Sequence, residues 1–160
     1  MTKFKRVGLI GRSGNQLAVD TIARLVDFLR DQGCSLWIED DIADAGGFEG
    51  LPHCALERIG QKVDLAIVVG GDGSLLGASR ALARFGTPVL GVNRGTLGFL
   101  TDISPADLFE KIGSALAGEF TEELRPLLDV EVTRDARVIA HANALNDVVL
   151  HKGSSARMLG

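Results

Sequence analysis

The stretch that decides the fold is "LAIVVGGDGSLLGASRALARFG", Leu65 to Gly86. An almost unbroken apolar run, Val63 to Val69, stops at Gly70, as expected of a strand covered on both faces. Gly-Gly-Asp-Gly follows, and the apolar pattern then becomes a helical stripe of Leu75, Ala78, Leu82 and Phe85. A lone carboxylate, Asp72, therefore stands among Gly70, Gly71 and Gly73 where a buried strand meets a helix.

A helix N-terminus presents free N–H groups and a partial positive charge. Glycines there permit positive φ and close approach of the backbone to a ligand. Gly70, Gly71 and Gly73 thus suit a phosphate or ribose contact just ahead of a helix beginning at Ser74. Asp72 is placed to accept a proton or hydrogen bond from a hydroxyl. The same four residues equally suit a tight turn in which Asp72 only caps the helix. No lysine follows at the spacing of the G-x-x-x-x-G-K-[ST] loop, and the pattern is not G-x-G-x-x-G.

Outward from this junction, "RVGLIG" (Arg6 to Gly11) predicts a first strand. Ala18, Ile22, Leu25, Val26 and Leu29 form an amphipathic helix stripe that Gly33 stops. "SLWIE" (Ser35 to Glu39) is a second strand, and the acidic, glycine-rich Asp40 to Cys54 reads as a mobile loop. "PVLGV" (Pro88 to Val92) is a further strand. "SPAD" (Ser104 to Asp107) has the form of a capping box with Pro105 at the first helical position. Its helix runs through Leu108, Phe109, Ile112 and Leu116 to Gly118. This alternation predicts a Rossmann-like parallel α/β sheet with flanking helices.

After Arg125 the pattern changes. Leu128, Val130 and Val132 alternate with Asp129 and Glu131, as in a half-buried antiparallel strand. Thr133 to Arg137 reads as a turn, and Val138 to His151 as one or two returning strands. A boundary near Glu122 to Pro126 divides an α/β domain, 1–124, from 125–160. The latter is expected to open an incomplete, β-rich second domain, because so few strands enclose no core and leave unpaired edges.

At 160 residues the chain is about one domain or a little more. Its 46% hydrophobic and 24% charged fractions are those of a soluble globular protein. The net charge of −4 gives no electrostatic case for general nucleic-acid binding. Cys34 and Cys54 have no metal-ligand spacing and read as idle thiols of a reducing cytosol. The apolar run in "MTKFKRVGLIG" is too short for a signal peptide. No stretch reaches the about 18 apolar residues of a membrane span. The expected location is cytoplasmic, with no membrane partner.

Two further stretches carry chemistry. In "GVNRGTLGFLTD" (Gly91 to Asp102), Asn93 can read a hydroxyl or amide, Gly95 and Gly98 bend the chain, and Leu97 and Phe99 offer an apolar surface to a base. A glycine-rich turn with core anchors is the alternative. Two such loops at neighbouring strand ends favour a ligand crevice. In "NALNDVVLHKG" (Asn143 to Gly153), Asn146 and Asp147 interrupt a strand-like run. The pair suits ribose hydroxyls, since Asn both donates and accepts while Asp accepts; a bulge or strand-end turn also accounts for it. Arg12, in the weaker glycine turn Gly11 to Asn15, and His151 and Lys152 read as solvated residues.

Together "GGDGSLLGASR" (Gly70 to Arg80), "GVNRGTLGFLTD" and "NDVVLHKG" (Asn146 to Gly153), in this order, resemble the bacterial NAD kinases across the whole chain. A lone GGDG is shared with phosphofructokinases and with diacylglycerol and sphingosine kinases; the second loop and the Asn-Asp pair narrow the resemblance. It implies transfer of the γ-phosphoryl of ATP, or of polyphosphate, to the 2′-hydroxyl of the adenosine ribose of NAD, giving NADP. Mg²⁺ or another divalent cation would accompany ATP, and the full-length protein would be a dimer or tetramer. On this sequence the resemblance implies Asp72 as general base and ribose contact with Gly71 and Gly73 beside it, Asn93 in the companion loop, Asn146 and Asp147 on ribose hydroxyls, Phe99 at the adenine, and Arg157 on the dinucleotide. The family's glycine–threonine–alanine–tyrosine motif is missing, and the chain contains no tyrosine. The chain therefore looks like the front part of such a kinase. The alternatives are a GGDG-type lipid or sugar kinase and a non-catalytic nucleotide-binding fragment.

Overall fold

The computed structural model describes residues 2–94, 98, 100, 101 and 103–149. It divides into two compact units, 1–122 and 123–160.

The first unit is built on a parallel sheet. β1 (Arg6–Gly11), β2 (Ser35–Glu39), β3 (His53–Cys54), β4 (Leu65–Gly70) and β5 (Val89–Asn93) lie in the order β3-β2-β1-β4-β5. Every residue of β4 is buried. Leu65, Ile67 and Val69 face one side of the sheet, where α1 (Gln16–Asp31), α2 (Asp40–Gly46) and α5 (Leu108–Ala117) cover them through Ile22, Leu25, Ile42, Ile112 and Leu116. Ala66 and Val68 face the other side, under α3 (Leu56–Ile59) and α4 (Asp72–Leu82) through Ile59, Leu75, Ala78 and Leu82. The continuous apolar run of β4 is thus the mark of a strand between two helical layers.

Local chemistry sets the ends of these elements. Asn15 caps α1, its side-chain oxygen accepting from the Ala18 amide at 3.3 Å. Gly33, past the end of α1, has φ +75°, a conformation that favours glycine. At the amino edge of the sheet, Asp64 accepts from the Lys5 and Arg6 amides and from the Arg6 guanidinium at 2.6 Å. The guanidinium holds this carboxyl below its ordinary range.

Three expectations need correction. Asp40 to Cys54 is not a loop throughout: it carries α2, which buries Ile42 and Ala43, and β3. Pro105 does not open a helix. One expected bond is made, the Asp107 amide donating to the Ser104 hydroxyl at 3.3 Å, but the Asp107 carboxylate accepts from that hydroxyl, at 2.7 Å, and not from the Ser104 amide of a capping box. The regular helix nevertheless starts only at Leu108. The third correction concerns the hairpin of the second unit.

That hairpin pairs β6 (Leu128–Arg134) with β7 (Arg137–Ala144). Asp135 and Ala136 both have positive φ, as a two-residue hairpin turn requires. Leu128, Val130 and Val132 lie opposite Ala144, Ala142 and Ala140, and Asp129 and Glu131 opposite Asn143 and His141. The alternation is therefore real, but the strand is not half-buried: Val132 is 48% exposed. Among the described residues the sheet has these two strands, and nearly all of their side chains are exposed.

Stability should follow this difference. Ile67→Ala, in a fully buried strand, is expected to cost about 3 kcal/mol. Val132→Ala should stay within about 0.5 kcal/mol. Urea denaturation of both variants checks this; equal losses would contradict the assignment of the core.

Candidate active site

Strand order fixes where a ligand can sit. From β1 the chain proceeds to β2 on one side; from β4 it proceeds to β5 on the other. The switch point lies between the carboxyl ends of β1 and β4, the place where open α/β sheets bind ligands. Gly11 and Gly70 end those strands, and Asn93 ends β5 in register with Gly70.

The Gly-Gly-Asp-Gly turn differs in detail from its sequence reading. α4 begins at Asp72, not at Ser74, with Gly71 as its N-cap. Gly71 has φ −103°, and Gly70, Gly71 and Gly73 all avoid the positive-φ region. What they contribute is space. A Cβ at Gly70 would strike Ser74, whereas among the described residues nothing lies within 4 Å of a Cβ position on Gly71 or Gly73. The backbone on both sides of Asp72 is thus open to a neighbouring group.

Asp72 is half-buried in the first turn of α4, where the helix dipole favours its negative charge. The second loop reaches it. The Leu100 amide donates to Asp72 Oδ1 at 3.1 Å, and the Thr101 hydroxyl donates to the same oxygen at 3.4 Å. Gly98 passes so close that a Cβ there would overlap the carboxylate. The Arg94 amide donates to the Gly70 carbonyl at 3.0 Å, and Arg94 Nε to the Leu17 carbonyl at 3.2 Å. The described residues of the second loop therefore meet the Gly-Gly-Asp-Gly turn at Asp72.

Asn93 is buried at 4% exposure beside this junction. Asn146 and Asp147 belong to the second unit, just after β7, where Asn146 Nδ2 donates to Asp147 Oδ2 at 3.0 Å. Both are accessible side chains with polar atoms free to meet water. Phe99 and Arg157, with His151 and Lys152, lie outside the described residues.

The sequence singled out Gly98 only as a bend, and Glu39 and Thr101 not at all. Glu39 ends β2 and accepts from the Gly11 amide at 3.2 Å. Burial raises its pKa to about 7; Asp41, Glu57 and Asp40 add to the rise, and the Gly11 N–H opposes it. A strand-end glutamate carries no sequence signal of such desolvation. Thr101 and Gly98 lie within the quoted loop, but their contact with Asp72 is tertiary.

A model of the ATP-NAD kinase N-terminal domain matches residues 7–120. The chain belongs to the ATP-NAD kinase family. It is 50% identical to the NAD kinase of Pseudomonas paraeruginosa strain PA7 over 99% of its own length and 54% of the relative's. It is 51% identical to that of Pseudomonas putida strain GB-1, with the same coverage. The chain spans about half the length of the curated relatives it matches. Its fold is that of a yeast NADH kinase solved in complex with NADH, with a TM-score of 0.73 and 18% identity over 95% of this chain and 50% of that one.

Within this kinase-family domain, Glu39 makes stability depend on pH. Its folded pKa lies above the unfolded value, so the folded state binds the proton more tightly. The favourable contribution is fully present below about pH 4.5 and is lost as pH rises through about 7. Glu39→Gln keeps an acceptor for Gly11 and removes the charge. It should raise the urea midpoint at pH 8.5 and leave it nearly unchanged at pH 5; an equal effect at both would contradict the assignment.

Proposed function

We propose that this chain supplies the Asp72 side of a site that phosphorylates the 2′-hydroxyl of the adenosine ribose of NAD, giving NADP. The donor is the γ-phosphoryl of ATP, or polyphosphate. The observation that carries the proposal is Asp72 itself: a half-buried carboxylate at a topological switch point, open backbone on either side, and a second loop anchored to it.

Phosphoryl transfer depends mainly on positioning and neutralisation of charge. The ribose oxygen forms a bond to phosphorus as the bridging oxygen of the donor leaves. Asp72 orients the attacking hydroxyl and accepts its proton as that bond forms. An ordinary aspartate, with a pKa of roughly 3.9, is a weak base for a sugar hydroxyl, so orientation is the larger part of its work. Gly71 and Gly73 let phosphate or ribose approach the backbone, and Asn93 offers an amide. Asn146 and Asp147 hold ribose hydroxyls, Phe99 lies by the adenine, and Arg157 meets the dinucleotide.

Among the described residues no cluster of three or more His, Cys, Asp or Glu could hold a metal by protein ligands alone. A single carboxylate at a phosphate site still fits Mg²⁺, which takes most of its ligands from phosphates and water. Asp72 is the residue that would hold it. Such an ion would neutralise charge on the transferring phosphoryl group. The free Cys34 and Cys54 thiols suit a reducing cytoplasm.

The test compares NADP formation by these 160 residues with that of a longer protein carrying the segment found in the relatives. The longer protein should form NADP, and Asp72→Asn should lower its turnover at least about 100-fold while circular dichroism stays unchanged. Near-normal turnover of that variant would refute the role of Asp72. Phosphorylation of diacylglycerol but not NAD would refute the choice of substrate.

A further inference from the structure

The segment that touches Asp72 is itself clipped to the sheet. The chain leaves β5 at Asn93 and returns beside it at Ile103, whose carbonyl accepts from the Asn93 amide at 2.9 Å. Val92 and Ile103 form a parallel bridge. Between these points, Thr101 is 1% exposed. Its methyl group packs over Gly91, where a Cβ would lie only 3.0 Å from Thr101 Cγ2 and 3.3 Å from its Cα. An alanine at Gly91 would press on Thr101, and on Leu75 Cδ2 at 3.2 Å, so that Thr101 would have to give by a few tenths of an ångström. With its methyl held against β5, the hydroxyl is turned to Asp72 Oδ1. That bond is long at 3.4 Å, yet it is the partner the structure gives a buried hydroxyl, which rarely goes without one.

We propose that Thr101 is a positioning residue for Asp72: seated on Gly91, it holds the Asp72 carboxylate in the orientation that the transfer step uses. The proposal rests on the phosphoryl-transfer function given above. Oδ1 is occupied by the Leu100 amide and the Thr101 hydroxyl, so the rotation of the carboxylate about its own axis is restrained before substrate arrives. A valine at 101 keeps the shape and removes the donor. A serine keeps the donor and removes the methyl. An alanine at Gly91 keeps the hydroxyl and displaces it.

Two measurements separate this role from a structural one. In the longer protein, Thr101→Val should lower kcat about ten-fold with KM for NAD nearly unchanged, the usual weight of a hydrogen bond to a charged group. Thr101→Ser should restore most of the loss, and Gly91→Ala should reproduce it. In the 160-residue chain at neutral pH, the ¹³C carboxyl resonance of Asp72 should move in Thr101→Val and return toward its wild-type position in Thr101→Ser, because the carboxylate loses and then regains a donor. Wild-type kcat and an unmoved resonance in Thr101→Val would overturn the proposal. If Thr101→Val fails to fold, Gly91→Ala and Thr101→Ser decide by the same readouts. If the longer wild-type protein forms no NADP, the proposed function falls, and the carboxyl resonance alone decides whether Thr101 positions Asp72.

Discussion

A strand with no exposed face, Leu65–Gly70, has to be covered by helices on both sides of its sheet. From that constraint the rest of the first unit follows. Helices on one side connect β1, β2 and β3, and helices on the other connect β3, β4 and β5. The direction of progression reverses between β1 and β4, so the connections leave their paired carboxyl ends in opposite directions, which is where open sheets have their crevice. Because β4 is apolar to its last residues, the first polar group beyond it stands at the mouth of that crevice. That group is Asp72.

Two carboxylates at the carboxyl ends of the strands have contrasting surroundings. Asp72 lies in the first turn of an 11-residue helix and accepts from an amide and a hydroxyl. Both features favour its charged form. Glu39, at the end of β2, has one amide donor against burial and three acidic neighbours, and its pKa rises to about 7. Glu39 is thereby partly neutral near pH 7, and its burial costs less than that of a full charge.

The elements legible in the sequence are those whose own periodicity suffices. β1 and β2 follow their apolar runs, and the stripe Ala18, Ile22, Leu25, Val26 and Leu29 is the buried face of α1. α2 was not legible, because a seven-residue helix with two glycines at its end owes its existence to the packing of Ile42 and Ala43, not to propensity. The alternation in β6 revealed a strand but not its cover, since a pattern states which face is apolar and not what lies against it. At the site, the glycines marked the place. The bond between Asp72 and Thr101, 29 residues apart, is a product of the fold and has no local signature.

The most direct measurement is a crystal structure of the longer protein with NAD bound. The account predicts a ribose hydroxyl within about 2.6–3.2 Å of the Asp72 carboxylate, with Gly71 and Gly73 against the ligand. NAD bound away from the carboxyl ends of β4 and β5, with Asp72 facing only protein, would contradict it.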